Sequence, residues 1–330
     1  MSDKTIAALE AAQGLDDLYP IFNENRYTAG WHKARASLWR EPKTPYQPLH
    51  WSYKEAYLAL DRAGEWISTE LAERRNLLMF NPVGDNDYAT VPTIVTAYQM
   101  IKPNEYARTH RHTPNALRLI LDAEPGVYTV VNGVKLPMRS GDVLLTPNLH
   151  WHSHYNEGEH NAYWIDFLDV PLVHLLQPMF FDELPGTLQD VQSEPDPETC
   201  PFVFSRVSVL AKLAEIPYGL GDARSYVLPS EAFIPTITLS YHQINAGGLT
   251  PQAKTTANRI FAVTEGRGEA KVGDRNFAFE RGDVFCVPSW TSYEIGASET
   301  ALLFEVSDEA TLRKLNLYFD RAPGSAASSA

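Results

Sequence analysis

The chain has 330 residues, 44% hydrophobic and 21% charged, enough apolar material for one large core or two medium ones in a globular protein. Its formal net charge of −13 argues against nucleic acid as a partner, because affinity for phosphate backbones rests on Lys and Arg releasing counterions. Two cysteines, Cys200 and Cys286, lie far apart and in no CxxC pair, which argues against a disulfide framework and against a thiolate zinc site.

In chain order, MSDKTIAALEAAQGLDDLY mixes charges through its apolar positions and lacks the run of a secretion signal. No long uncharged stretch follows, so a cytoplasmic protein without membrane contact is expected. Helical spacing predicts one helix from Thr5 to about Leu15 and another through Tyr53 to Arg75 (YKEAYLALDRAGEWISTELAERR). From about Val91 the texture changes to TIVTAYQMI, ALRLILD, GVYTVVNG, GDVLLTP and AYWIDFLDV, the pattern of an antiparallel sandwich or jelly roll. A Pro- and acid-containing stretch, including GTLQDVQSEPDPETCP at 186 to 201, reads as a connector. The barrel texture then returns in TITLSYHQI, NRIFAVTEGRGEAKVG, FAFERGDVFCVPSW and TALLFEVSD, and the tail APGSAASSA is expected to be disordered.

The two β regions overlay: SGDVLLTPNLHWHSH on RGDVFCVPSWTSYEI, and HRHTPNALRLIL on QAKTTANRIFAV. The offset is 141 positions from Gly141 to Gly282 and 142 from His110 to Gln252, which makes this an internal repeat of one barrel. The expected organisation is a helical N-terminal arm over 1–85, a first barrel over 86–180, a connector over 181–232, a second barrel over 233–320 and a tail over 321–330.

Six of the ten histidines fall between positions 110 and 160. Residues i and i+2 of a strand share a face, so His110 and His112 form a two-tooth metal clamp while Arg111 points away. A third ligand from another strand is offered by His150, His152 and His154, which all have one parity, so parity does not choose among them. The stretch Gly141 to Asn156 resembles the second cupin motif, G(x)5PxG(x)2H(x)3N: Gly141, Pro147, His152 and Asn156 match, and Leu149 departs at the inner glycine. That resemblance picks His152. The first cupin motif, HxH(x)3-4E, lacks its glutamate here, which implies a site of three histidines with His150 and His160 left structural.

Three longer strings narrow the likeness. AERRNLLMFNP at 72 to 82, HRHTPNALRLILDAEPGVYTVVNG at 110 to 133, and GDVLLTPNLHWHSHYN with WIDFLDVPL together resemble the gentisate 1,2-dioxygenase family over roughly the whole chain. The resemblance implies an all-β bicupin with a helical N-terminal arm, two double-stranded β-helix (jelly-roll) barrels in one chain, assembled as a homotetramer. It implies Fe(II) bound by His110, His112 and His152, and cleavage by O2 of a 2-hydroxybenzoate between the carboxyl-bearing and hydroxyl-bearing carbons. Substrate chelation of the metal through carboxylate and hydroxyl would precede the reduction of O2. His154 matches the family's acid/base histidine and Asp166 the carboxylate that orients it. Arg118, six residues beyond His112 and so on the same strand face, matches a carboxylate-binding guanidinium. Gln99 and Arg74 match positions near the substrate carboxylate and oxygen, with Arg75 as the alternative to Arg74.

At the second copy, Gln252, Lys254 and Tyr293 stand where the first has His110, His112 and His152, a poor donor set for Fe(II), so one iron per chain is expected. Many family members carry a tryptophan four residues before the glutamine, and this chain has Val95, which reshapes the pocket wall. Gentisate, salicylate, 5-nitrosalicylate and 1-hydroxy-2-naphthoate all stay open as substrates. The competing readings are another metal-dependent cupin enzyme, isomerase or quercetinase-like, and a non-enzymatic ligand-binding bicupin. The missing motif glutamate and the asymmetry between the two barrels argue against them.

Overall fold

A computed structural model describes residues 3–33, 37–72, 75–186 and 188–320; the expected disordered tail lies outside them. Contacts divide the chain into two units, Met1–Pro42 and Lys43–Ala330. The first unit carries α1 (Asp3–Ala11) and α2 (Leu15–Glu24), so the helix predicted to reach Leu15 stops four residues earlier, and Gly14, in extended conformation, precedes the next.

The second unit opens with β1 (Leu49–Trp51), α3 (Tyr53–Ala63), α4 (Thr69–Ala72) and β2 (Arg75–Leu78). The single helix expected over Tyr53 to Arg75 therefore breaks. Ser52 caps the N-terminus of α3 through Oγ, Tyr53, Ala56 and Leu60 bury one stripe, and Gly64 ends it. Gly64 also lies so close to Met100 that a Cβ there would sit 2.8 Å from its Cε.

The first barrel follows as β3 (Val95–Ile101), β4 (Glu105–His112), β5 (Ala116–Asp122), β6 (Val127–Val131), β7 (Val134–Pro137), β8 (Val143–Thr146), β9 (His152–Asn156), β10 (Ala162–Leu168) and α5 (Val170–Leu176). Next come β11 (Phe181–Glu183), β12 (Val203–Phe204), α6 (Arg206–Glu215) and β13 (Ala223–Val227). The second barrel is β14 (Thr238–Ile244), β15 (Arg259–Glu265), β16 (Gly268–Val272), β17 (Arg275–Phe279), β18 (Val284–Val287), β19 (Tyr293–Ala297) and β20 (Ala301–Ser307), closed by α7 (Glu309–Lys314).

Among the described residues the first jelly roll pairs a sheet of order β12-β8-β5-β10-β3-β2 with one of order β11-β4-β9-β6-β7. The second pairs β1-β18-β15-β20-β14-β13 with β17-β16-β19. The segment expected to be a helical arm also lends β1 to the second barrel and β2 to the first, and the expected connector lends β11 and β12 to the first and β13 to the second.

Three cores result. Ile101, Ile120, Val131, Leu144 and Trp164 fill the first barrel, and Phe261, Phe279, Phe285 and Ile295 the second. Between them Tyr98, Leu119, Ile165 and Phe167 pack with Leu239, Tyr241, Ile260 and Phe304. β3, β5 and β10 are therefore buried on both faces, which is why their sequences run apolar without alternation, whereas β16 alternates buried and solvated positions.

Both repeats reuse one device. Gly141 and Gly282 have φ of +91° and +90°, and a Cβ at either would strike Arg206 at 2.5 Å or Tyr53 at 2.3 Å. The next residue accepts from the first amide of the helix docked there: Asp142 Oδ1 from Arg206 N at 2.8 Å, Asp283 Oδ1 from Tyr53 N at 2.9 Å.

Candidate active site

His110 and His112 alternate along β4, and His152 opens β9 directly opposite His110. A register shift between Ala107 and His110 re-aims the end of β4 before the histidines. One ring nitrogen from each of the three lies within 4.8 Å of the others, and the ring centroids of His110 and His112 stand 4.3 and 4.9 Å from that of His152. Each Nδ1 meets a backbone carbonyl: Arg108 O at 3.0 Å from His110, Pro114 O at 2.8 Å from His112 and His150 O at 3.0 Å from His152. A carbonyl only accepts, so Nδ1 carries a proton in all three rings, which leaves Nε2 as the atom able to bind a metal. Burial, then the neighbouring His110, His112 and Arg118, hold His152 well below the ordinary imidazole pKa, so it stays neutral, as a metal ligand must.

The turn before His152 is strained. Leu149, at the motif's glycine position, adopts φ +58° and donates its N–H to His112 O at 2.9 Å, tying the two ligand segments together.

On the inner face of the larger sheet, register places Gln99 opposite Trp164, and Arg118 opposite Asp166. Asp166 is 1% exposed and is the hub: it accepts from Gln99 Nε2 at 2.5 Å, Trp164 Nε1 at 2.9 Å and Arg118 Nε at 3.2 Å. Arg118 also donates to Thr146 Oγ1 at 3.0 Å. His154 is fully buried, its ring 6.0 Å from that of His152, with Nδ1 2.9 Å from Thr129 Oγ1. Asp166, which the resemblance makes the orienting carboxylate of His154, holds these three partners. The hydrogen bonds make it the anchor of Arg118 and Gln99, and set Thr129 against His154 Nδ1. Trp164, Thr146 and Thr129 had escaped notice; Trp164 carried the one available signal, a position two residues before Asp166 on the same strand face.

The arrangement is three imidazoles, each anchored at Nδ1, converging beside a fixed guanidinium–carboxylate pair. A Cupin domain family matches residues 97–169. The chain is 30% identical to a 5-aminosalicylate 1,2-dioxygenase of a Comamonas species over 93% of its own length and 90% of the relative's. It is likewise 30% identical to a gentisate 1,2-dioxygenase of a Ralstonia species, over 88% and 90%. The chain belongs to the gentisate 1,2-dioxygenase family. Its fold superimposes on the crystal structure of a salicylate 1,2-dioxygenase from Pseudaminobacter salicylatoxidans with a TM-score of 0.86 at 25% identity, covering 94% of this chain and 98% of that one. This is a ring-cleaving dioxygenase on a bicupin scaffold.

Of the remaining expected residues of the dioxygenase, Val95 lies on the Gln99 face of β3, opposite Leu168, and is 4% exposed. Arg74 lies outside the described residues. Arg75 pairs with Met100, on the opposite face from Gln99, and its guanidinium is clasped by Glu105 at 2.6 and 2.7 Å. Register thus turns Arg75 away from the histidines and into a buried ion pair. His150 and His160 keep structural contacts, Nδ1 to Asn148 O at 3.0 Å and to Glu124 at 2.7 Å.

The second barrel of the dioxygenase corrects the sequence overlay by one residue. Ala253 faces Tyr293 as His110 faces His152, and Trp290 N donates to Thr255 O at 2.7 Å as Leu149 N does to His112 O. The counterparts of His110 and His112 are therefore Ala253 and Thr255, and Gln252 and Lys254 fall out of register. Alanine offers no ligand atom, and burial raises the Tyr293 phenol above its ordinary pKa, away from phenolate. The same register puts Phe261 where Arg118 stands, Glu305 for Asp166 and His242 for Gln99.

Proposed function

We propose that this dioxygenase uses one Fe(II) per chain, held by His110, His112 and His152 of the first barrel, to cleave a 2-hydroxybenzoate with O2 between its carboxyl-bearing and hydroxyl-bearing carbons. The observation that carries this reading is the set of three Nδ1-anchored imidazoles with Arg118 and Asp166 behind them. Three neutral nitrogens on one side suit a divalent first-row metal, and Fe(II) so held supplies a Lewis-acid and redox centre with open positions.

The protein's own part is positioning. Arg118, locked by Asp166 and Thr146, sets a positive charge that draws and orients the substrate carboxylate, and Gln99 is fixed beside it by the same carboxylate. With Nδ1 engaged by Thr129, His154 exchanges its catalytic proton at Nε2. Of the two candidate arginines, Arg75 is spent on Glu105, on the face of the sheet opposite Gln99. The substrate is gentisate or a 5-substituted salicylate such as 5-nitrosalicylate; Val95, where many family members carry tryptophan, reshapes the pocket wall and weighs against gentisate as the automatic choice. The second barrel is a metal-free structural partner. The two cysteines are buried free thiols, which supports a reducing, cytoplasmic setting, and the family likeness supports a homotetramer.

Metal analysis after anaerobic loading with Fe(II) tests the reading. About one iron per chain is expected in the wild type and a small fraction of that in His110→Ala, with O2 uptake lost in step. Turnover retained by His110→Ala overturns it.

A further inference from the structure

In the second barrel a serine, a histidine and a glutamate are joined in line. Ser225 of β13 faces His242 of β14 in register, and Glu305 of β20 lies on the same inner face, two residues from Leu303, the other partner of His242. Ser225 Oγ lies 2.7 Å from His242 Nδ1, and His242 Nε2 lies 2.6 Å from Glu305 Oε2. By register these three stand where the first barrel has Asn76, Gln99 and Asp166, so the second copy carries a hydroxyl and an imidazole in place of two amides. Glu305 is buried, with Arg259 on its other oxygen, and is ionised, its carboxyl brought down to about 2. A carboxylate only accepts, so His242 Nε2 carries a proton, and in the neutral ring Nδ1 is left to accept the O–H of Ser225. The ring nitrogens are used in the reverse order of the serine-protease template, which the chemistry permits because either can carry the proton.

Ser225 is exposed, and it and His242 line a cavity of about 350 Å³, within the range of small-molecule pockets, whose apolar walls include Pro217, Phe261 and Ile295. Thr250 and Tyr293 line it too. Thr250 Oγ1 accepts from Ile295 N at 2.8 Å, which leaves its own O–H to donate, and burial holds the Tyr293 phenol protonated, so the cavity has two hydroxyl donors for a developing oxyanion. We infer that the second barrel is a hydrolytic site for uncharged esters of small apolar acids, with Ser225 as nucleophile, His242 as base and Glu305 as the charge that orients and balances the imidazole. Ser225 Oγ forms a bond to the acyl carbon while its proton passes to His242 Nδ1; the ester C–O bond then breaks, and the departing alcohol takes that proton. Water attacks the acyl-serine by the same route, giving its proton to Nδ1, and the acid leaves as the serine takes the proton back. One ester and one water become one alcohol and one acid.

Release of p-nitrophenolate from p-nitrophenyl acetate by the full, metal-loaded chain tests this, together with an alkyl fluorophosphonate, whose phosphorus an activated serine attacks with loss of fluoride. About one label per chain, placed on Ser225 by peptide mass analysis, is expected in the wild type and none in Ser225→Ala. Ser225→Ala and His242→Gln should each lower kcat/KM for the ester by at least about 10²-fold, while O2 uptake at the first barrel stays at the wild-type rate. If His242→Gln does not fold, Ser225→Ala, a change at an exposed side chain, decides alone. Ester hydrolysis that survives in Ser225→Ala, or a wild type that leaves Ser225 unlabelled or the ester uncleaved above the buffer rate, overturns the inference.

Discussion

His154 and the three clustered histidines are separated by what each ring is asked to do. The clustered three turn Nε2 toward one another, whereas His154 follows His152 by two residues and packs beside Trp164. Replacing His154 by Gln should leave the iron content at the wild-type level and lower kcat by about 10²–10⁴-fold, read by metal analysis beside an oxygen electrode. Asp166→Asn strips a counter-charge from Arg118, both 1% exposed, and should cost about 3–5 kcal/mol in urea unfolding because a buried ion pair loses one of its charges. Glu305 makes a pH prediction. Burial pushes its carboxyl up, but Arg259 and the His242 contact win and bring it to about 2, below the ordinary 4.5. The unfolded chain therefore takes up this proton first: the stabilisation is complete above about 4.5 and is lost as the pH falls through about 2, roughly 3 kcal/mol in all. Acid titration of unfolding should show that slope in the wild type and a flatter one in Glu305→Gln. At this scale the sequence made the i, i+2 clamp legible, since strand parity is local. It did not show that Asp166 serves Arg118 and Gln99, because those bonds join β3, β5 and β10 across the sheet.

Elements were legible where one periodicity ruled them and misread where chain partners decided. The helix predicted through Tyr53 to Arg75 ends at Gly64, whose lack of a side chain admits Met100, and Arg75 starts a strand because β3 offers it an edge. β1 is three residues long and exists only as the neighbour of β18, so no local pattern marks it. The overlay of the two barrels failed by one position for a related reason: the ligand strand of the second copy carries one residue more than the overlay allowed, Ala253 and not Gln252 answering His110, and a slip of one residue exchanges the faces. The glycine–aspartate turns are the element-scale device to test. Gly282→Ala forces a left-handed backbone worth about 1–2 kcal/mol and drives a methyl into Tyr53, so urea unfolding should show a loss of at least that much. Asp283→Ala, which removes the acceptor at the start of α3 and, at the other oxygen, the partner of His50 Nε2 and Glu280 N, should cost at least about 0.5–2 kcal/mol. A loss in Gly282→Ala no larger than about 1–2 kcal/mol, the share of the backbone, would mean that the close approach of Tyr53 carries no load.

As a whole molecule, the chain is two copies of one barrel set back to back, with Tyr98 and Tyr241 at matching places in the shared core and segments from the arm and connector completing both. That duplication was legible in the spacing of the glycine–aspartate turns, and the confinement of the three-histidine cluster to the first barrel was legible in the histidines. The central claim is that ring cleavage runs on iron held by the first barrel alone. Its most direct test is an oxygen-electrode screen of the anaerobically Fe(II)-loaded enzyme against gentisate, salicylate, 5-nitrosalicylate and 1-hydroxy-2-naphthoate, with 18O2 and mass analysis of the product. The account predicts uptake with at least one of the four, both oxygen atoms in a ring-opened acid, and none of this in His110→Ala. No uptake with any of them, or turnover that survives in His110→Ala, would contradict it.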